Sequence, residues 1–449
     1  MSTPPGKGGV ALIRLSGEEA FDIAGRVFVP KNKKPFADLP LRMQVYGDIY
    51  LGKDRIDDGM MTKFKAPYSY TGEDTVEFTC HGGMLITKLV LESLFTAGAV
   101  PAAPGEYTRR AFMNGKLGLT EAEAIGTLLD AKSFDQVKLT STEGRSRLSA
   151  ALAEVRSDLL SVMSSIYARI DYPDEDLGEF SDDDAARILI AEKEKIEKLI
   201  RSYRTGKAVT EGIPTVICGK PNVGKSSLYN LLLGENAAIV TDTPGTTRDV
   251  LSGTVSLGRV MLDLFDTAGI RETDDPIEKI GVSRSRDAME KATLILAVFD
   301  TSRPLDAEDL EIIGAVKRQN AEAIAVLNKT DLPTKIDVGE IRKYFANVVS
   351  LSALKEDTGE LSAAVNRLFT DEKLVIGQDA VIFSARQNAA LMKARDCIAT
   401  AIEAYADGFA ADAASSDVEL ALGAIGEIDG KAVCDEVVND IFSKFCVGK

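Results

Sequence analysis

The stretch Gly219-Lys220-Pro221-Asn222-Val223-Gly224-Lys225-Ser226-Ser227 constrains this chain more than any other. It follows an apolar run, Pro214 to Cys218, and precedes Leu228 to Leu233. That order reads as strand, glycine-rich loop, helix, the setting in which G-x-x-x-x-G-K-[ST] holds phosphates. The glycines let successive backbone N–H groups converge on phosphate oxygens at a helix N-terminus. Lys225 is placed to reach the β- and γ-phosphates of a nucleotide, and Ser226 to offer its hydroxyl to Mg²⁺.

Three further motifs follow in order. Asp266-Thr267-Ala268-Gly269 ends the apolar run Val260 to Phe265. An aspartate there can hold Mg²⁺ through water, and the glycine N–H can sense a γ-phosphate. Asn328-Lys329-Thr330-Asp331 ends another such run, and the Asp331 carboxylate can accept both N–H groups of a guanine edge. Ser352-Ala353-Leu354 ends the next strand, where a backbone N–H meets the guanine oxygen. The four together imply a GTP-binding domain of the translation-factor-like class.

Between the first two motifs lies Thr241-Asp242-Thr243-Pro244-Gly245-Thr246-Thr247, polar and turn-rich, which reads as a switch loop. Thr247 is the threonine expected to complete the Mg²⁺ shell. The residue after Gly269 is Ile270, where small signalling GTPases carry a water-orienting glutamine. Hydrolysis then needs another polar group, and Glu272, Asp274, Asp275 and Glu278 stand close by. No arginine finger is evident. Asn222, beside the threonine-rich loop, can supply an oxygen to a monovalent cation at the γ-phosphate.

At 449 residues the chain has room for about three domains. Residues 1–116 read as mixed α/β, with strands at Val10–Leu15, Met43–Tyr50, Met60–Lys65 and Gly72–Thr79 and a helix at Met84–Ala97. Residues 117–210 turn helical. Leu148, Leu152, Val155, Leu159, Val162, Ile166 and Ile170 form one apolar stripe, and a charged amphipathic helix covers Ile188–Tyr203. Residues 211–371 alternate strands (214–218, 259–265, 292–300, 321–327, 346–351) with helices, the pattern of a doubly wound sheet. Residues 372–449 return to helical spacing. The expected fold is therefore multidomain α/β plus all-α, a helical domain interrupted by a Ras-like G domain. A net charge of −16 argues against a broadly basic, nucleic-acid-coating surface. Five scattered cysteines and one histidine make a structural zinc site improbable. With no signal peptide or apolar run of about 18 residues, a cytoplasmic location and no membrane partner are expected.

The whole chain resembles the MnmE (TrmE) family of tRNA modification GTPases. The resemblance rests on Pro4-Pro5-Gly6-Lys7-Gly8-Gly9, Tyr70-Thr71-Gly72-Glu73-Asp74, His81-Gly82-Gly83, Pro104-Gly105-Glu106, Asn114-Gly115-Lys116-Leu117, the GTPase motifs, and the tail Ile441 to Lys449. It implies a homodimer that works with a flavin- and NADH-dependent partner, MnmG, on carbon 5 of the wobble uridine of certain tRNAs. The product carries an aminomethyl or carboxymethylaminomethyl group. A 5-formyl- or methylene-tetrahydrofolate on a folate-binding N-terminal domain supplies the carbon. The resemblance further implies K⁺ held by Asn222, Thr241, Thr243 and Thr246, and Mg²⁺ by Ser226 and Thr247. Glu278 becomes the water-activating carboxylate. Folate contacts fall to Arg14, Glu77, Lys116 and Lys449, and Cys446 gains a possible part in modification, set against the plain reading of a small buried hydrophobe.

Arg14 and Glu77 also fit ordinary strand-face charges, and His81 reads as a turn residue before Gly82-Gly83 or as an acid–base group. Family members begin with another strand ahead of Pro4-Pro5-Gly6, whereas here Met1 stands where that strand should end. Either the start is misassigned or the domain lacks an edge strand, and in the second case weakened folate binding and dimerisation are expected. Two other functions compete: a ribosome-assembly GTPase switch, which usually carries a basic RNA-binding domain, and a folate enzyme regulated by GTP.

Overall fold

The computed structural model describes residues 1–171, 181–236, 251–265, 289–355, 357–406, 411–431, 435–445 and 448. They fall into two compact units, one of residues 1–126 with 426–449, the other of residues 127–425.

In the first unit, β1 (Val10–Ser16), β2 (Phe28–Pro30), β3 (Val45–Leu51), β4 (Asp54–Phe64) and β5 (Thr75–His81) form an antiparallel sheet ordered β1-β5-β4-β3-β2. Alternation along the strands sends Ile13, Met61, Val76 and Phe78 to one face, where the helices Ala20–Val27 and Met84–Thr96 bury them. Each such side chain contributes about 1.5–3 kcal/mol on burial. Arg14, opposite Glu77, and Glu77, opposite Thr62, belong to the other face. β4 starts at Asp54, earlier than expected, because Asp54, Arg55, Asp57 and Asp58 hide the strand pattern. β1 is an edge strand, along which the Ser2 N–H donates to Leu12 O at 2.8 Å and the Leu12 N–H to the Thr3 hydroxyl at 3.2 Å. The helices Glu106–Met113, Leu119–Leu129 and Asp435–Ser443 share a small core of Leu119, Ala122, Val438 and Phe442.

The second unit holds long helices, Thr142–Asp171, Asp182–Thr210 and Ala385–Ala406, with the outer two packed on the middle one. Leu148, Leu152, Val155, Leu159, Val162 and Ile166 of the expected stripe are buried. Ile170, one residue before the helix ends, is 47% exposed, so the stripe stops a turn earlier than its spacing suggests. Ser181 caps the middle helix in a capping box with Asp184, which satisfies two otherwise orphaned N–H groups.

Among the described residues, this unit also holds six strands: β6 (Ile213–Cys218), β7 (Leu251–Leu257), β8 (Val260–Phe265), β9 (Leu294–Asp300), β10 (Glu322–Asn328) and β11 (Asn347–Ser350). Their order is β11-β10-β9-β6-β8-β7, parallel except for β7. β7 was not expected; its Ser-Gly-Thr composition blurs the apolar pattern. β9 is buried along its whole length because both faces are covered. Leu296 and Val298 pack with the helices Lys225–Asn236 and Gly359–Phe369, and Ile295, Ala297 and Phe299 with the helix Ala307–Lys317. Parallel strands end on one edge, so the loops after β6, β9, β10 and β11 meet there, the usual place for a ligand in such sheets. No helix among the described residues is long and apolar enough to cross a membrane.

Candidate functional site

The loop after β6 has the backbone its sequence requires. Gly219 and Gly224 adopt φ values of 150° and 98°, and Asn222 a left-handed 62°, which asparagine tolerates better than most residues. Val223 is fully buried and anchors the loop from below. The Lys225 ammonium donates to Gly219 O at 2.9 Å and Lys220 O at 2.8 Å, and burial pulls its pKa down. Ser226 stands in the first turn of the helix Lys225–Asn236, where its hydroxyl suits a hard cation; Ser227 beside it is exposed.

The motif after β10 is bolted to this loop. Asn328 is buried; its side-chain amide donates to Val223 O at 2.9 Å, while its carbonyl oxygen accepts the Ala353 N–H at 3.1 Å. Lys329 reaches Asn222 O at 2.7 Å and Asp300 Oδ2 at 2.7 Å. Burial pushes the Asp300 carboxyl up, but Lys329 and the Ser302 hydroxyl and N–H outweigh it and hold it at about 2. Asp331 is exposed; the Ser352 hydroxyl donates to its Oδ1 at 2.6 Å and, chief among several causes, lowers its pKa. Thr330 is exposed, its N–H 3.4 Å from Leu351 O, and Leu354 is exposed. Asn222, Val223 and Lys225 thus share one edge with Asn328, Lys329, Asp331, Ser352 and Ala353, an arrangement able to read a base and cradle phosphates together.

In the first unit, cross-strand neighbours Arg14 and Glu77 form an ion pair at 2.6 Å. The Arg14 guanidinium lies over the rings of both Tyr70 and Tyr107, 5.4 and 5.6 Å from their centroids, and the Tyr107 hydroxyl donates to Arg14 O at 2.6 Å. The Lys116 ammonium donates to Pro67 O at 2.9 Å, and Asn114 to Thr71 O at 2.8 Å, so both tie down the segment that carries Tyr70. The Ser2 hydroxyl donates to Gly448 O at 3.2 Å, which sets the chain's tail against its opening residues. A planar cation flanked by two rings and a carboxylate suits a flat, amide-bearing heterocycle. His81 is exposed; its Nδ1 lies 2.7 Å from Asp57 Oδ1, and its N–H donates to Asp57 Oδ2 at 2.9 Å. The bond to Asp57, then its charge, raises the imidazole pKa.

Residues 1–116 match the family model described as the GTP-binding protein TrmE N-terminus, and residues 119–446 match the MnmE helical domain. The tRNA modification GTPase MnmE of Natranaerobius thermophilus is 40% identical over 454 residues, covering 100% of this chain and 98% of that protein. The chain belongs to the MnmE family. The MnmE of Lactobacillus acidophilus is also 40% identical, over 456 residues, covering 100% of this chain and 97% of its own. Among solved structures, Aquifex aeolicus Era bound to GDP.AlF4− is 28% identical, covers 41% of this chain and 65% of its own, and has a TM-score of 0.28.

Several MnmE-family expectations fall outside the described residues: Thr241, Asp242, Thr243, Pro244, Gly245, Thr246, Thr247, Asp266, Thr267, Ala268, Gly269, Glu278, Cys446 and Lys449. Others went unforeseen. Lys220 is buried at the phosphate loop against Asp306 and Asp309, and Tyr70 and Tyr107 enclose Arg14. The sole hint of the former was a charged residue inside a glycine-rich loop.

Proposed function

We propose that this MnmE-family chain is a GTPase that modifies carbon 5 of the wobble uridine of certain tRNAs, as a cytoplasmic homodimer working with a flavin-dependent MnmG-type partner. The observation that carries the GTPase part is the buried Asn328 amide, which bridges Val223 of the phosphate loop and Ala353 of the base-reading loop. The modification part rests on the family. Residues 1–116 would bind the folate that supplies the carbon and dimerise, 211–371 would be the G domain, and 117–210 with 372–449 the helical domain.

Within the G domain, Ser226 and Thr247 would hold Mg²⁺, and Asn222, Thr241, Thr243 and Thr246 would hold K⁺; bound metals neutralise charge that grows on the phosphate oxygens. Glu278 would orient and deprotonate the attacking water. Glu278→Ala is then expected to keep GTP affinity and lose about a hundredfold or more of its turnover. Wild-type turnover should also fall when K⁺ is replaced by Na⁺. Single-turnover assays in each salt check both, and equal rates in Na⁺ would remove the cation assignment.

Arg14, Glu77, Lys116 and Lys449 would contact the folate. Arg14→Ala is expected to weaken 5-formyl-tetrahydrofolate binding by about tenfold or more, since it removes the cation and leaves Glu77 unpaired. Calorimetry reads this directly, and unchanged affinity would move the folate elsewhere.

The test of the whole reading is nucleoside analysis of tRNA from bacteria lacking their own MnmE, supplied with this chain. Restored wobble-uridine modification supports it. A chain that is expressed and hydrolyses GTP yet restores nothing would shift weight to ribosome assembly.

A further inference from the structure

Lys220 is a lysine within the phosphate loop whose side chain points away from solvent and is 3% exposed. Its ammonium contacts the carboxylates of Asp306 and Asp309, the latter at 2.6 Å and itself 5% exposed. Those two aspartates form the capping box that starts the helix Ala307–Lys317. Burial pulls the Lys220 pKa down, yet the two carboxylates outweigh it and raise it overall. The backbone carbonyl of the same residue accepts the Lys225 ammonium at 2.8 Å. One residue therefore joins the phosphate-reaching lysine to the segment after β9.

That segment has a second grip. The Thr301 N–H donates to Asn328 O at 3.0 Å, and its hydroxyl faces Asn328 O and Lys329 O at 2.9 and 3.0 Å. Asp300 binds the Lys329 ammonium, which in turn holds Asn222 O. Arg303 Nε lies 3.8 Å from Asp300 Oδ2. Three cations and three carboxylates thus link residues 300–309 to the phosphate loop at Lys220 and, through Lys329, at Asn222.

We infer that the segment Asp300–Asp309 positions the phosphate loop for guanine nucleotides, with Lys220 as the positioning residue. The inference rests on the GTP-binding reading of this edge. A loop built on left-handed backbone at Asn222 and positive φ at Gly219 and Gly224 has many alternative shapes, and a buried ionic pin selects one. Nucleotides contacting this loop through their α- and β-phosphates should feel its loss equally, whether or not a γ-phosphate is present.

Removing the lysine alone leaves Asp309 buried and uncompensated, which confuses positioning with folding. The informative variant is therefore the pair Lys220→Met with Asp309→Asn, in which no buried charge is stranded, since the remaining carboxylate, Asp306, is 52% exposed. Asp306→Asn is the milder companion, since asparagine still caps the helix but no longer pairs with the ammonium. Fluorescent GDP and GTP binding is measured on the full chain, together with the thermal unfolding midpoint and the KM and kcat for GTP. The paired variant is expected to unfold near the wild-type temperature and to bind both nucleotides about tenfold or more weakly, with KM raised and kcat little changed. Asp306→Asn should show the same signature at about threefold. Wild-type affinity in the folded paired variant, or a loss confined to kcat, overturns the inference. If the wild-type chain itself binds no guanine nucleotide, the GTP-binding reading fails instead.

Discussion

Replacing Asp331 by asparagine is expected to lower GTP affinity by about a thousandfold and to create a preference for XTP. Guanine offers two adjacent N–H donors on one edge, and a carboxylate accepts both. Asp331 is prepared for this: it stands at the exposed end of the motif after β10, and the Ser352 hydroxyl donates to its Oδ1 at 2.6 Å. That bond, the largest of the causes acting on Asp331, lowers the carboxyl pKa, so the acceptor is ionised at neutral pH. Asparagine keeps the shape and one acceptor, but its amide would set a donor against the second guanine donor. Both would then be desolvated without a partner, the costly case for a hydrogen bond. Xanthine has a carbonyl in place of the exocyclic amine, so its donor–acceptor edge matches the new acceptor–donor pair. Competition binding with GTP and XTP checks the switch, and an unaltered preference for GTP would show that the base is read elsewhere.

The placement of Lys225, Asn328 and Asp331 on one edge of the sheet was legible because a strand end, a loop and a fixed spacing tie their positions to local sequence. The same holds for the two-sided burial of β9, which an unbroken apolar run foretells. Residues that act through partners far along the chain were not. Lys220 meets Asp309 across 89 positions, and nothing in a charged residue's neighbours says which opposite charge it will find. Tyr70 and Tyr107 close on Arg14 only once the sheet and the helix Glu106–Met113 have formed. Chain ends were equally opaque, with Ser2 bonded to Gly448 O across 446 positions. β7 escaped notice for another reason: Ser252, Gly253, Thr254 and Ser256 break up its apolar pattern, although Val255 and Leu257 are buried in the core of the sheet.

Gly224→Ala is the second substitution with a large expected effect. Gly224 has φ of 98°, and a Cβ there would lie 2.1 Å from the Asn328 side-chain nitrogen. The strained backbone alone costs about 1–2 kcal/mol for a residue with a Cβ. The collision matters more, because Asn328 has no free direction: it is buried, with its nitrogen bonded to Val223 O and its oxygen to the Ala353 N–H. Moving it to admit a methyl breaks two buried hydrogen bonds at about 1–3 kcal/mol each. The same displacement separates the phosphate loop from the base-reading loop, so binding loses both halves of the site at once. Nucleotide affinity is expected to fall by about a hundredfold or more. The control is Gly234→Ala, in the helix that follows, where an added Cβ meets nothing within 4 Å. It should leave GTP binding intact and stabilise the helix by about 0.5–1 kcal/mol. Titration of both variants with fluorescent GDP separates the outcomes. If Gly224→Ala binds as tightly as Gly234→Ala, the bridge through Asn328 does not hold the two loops in register.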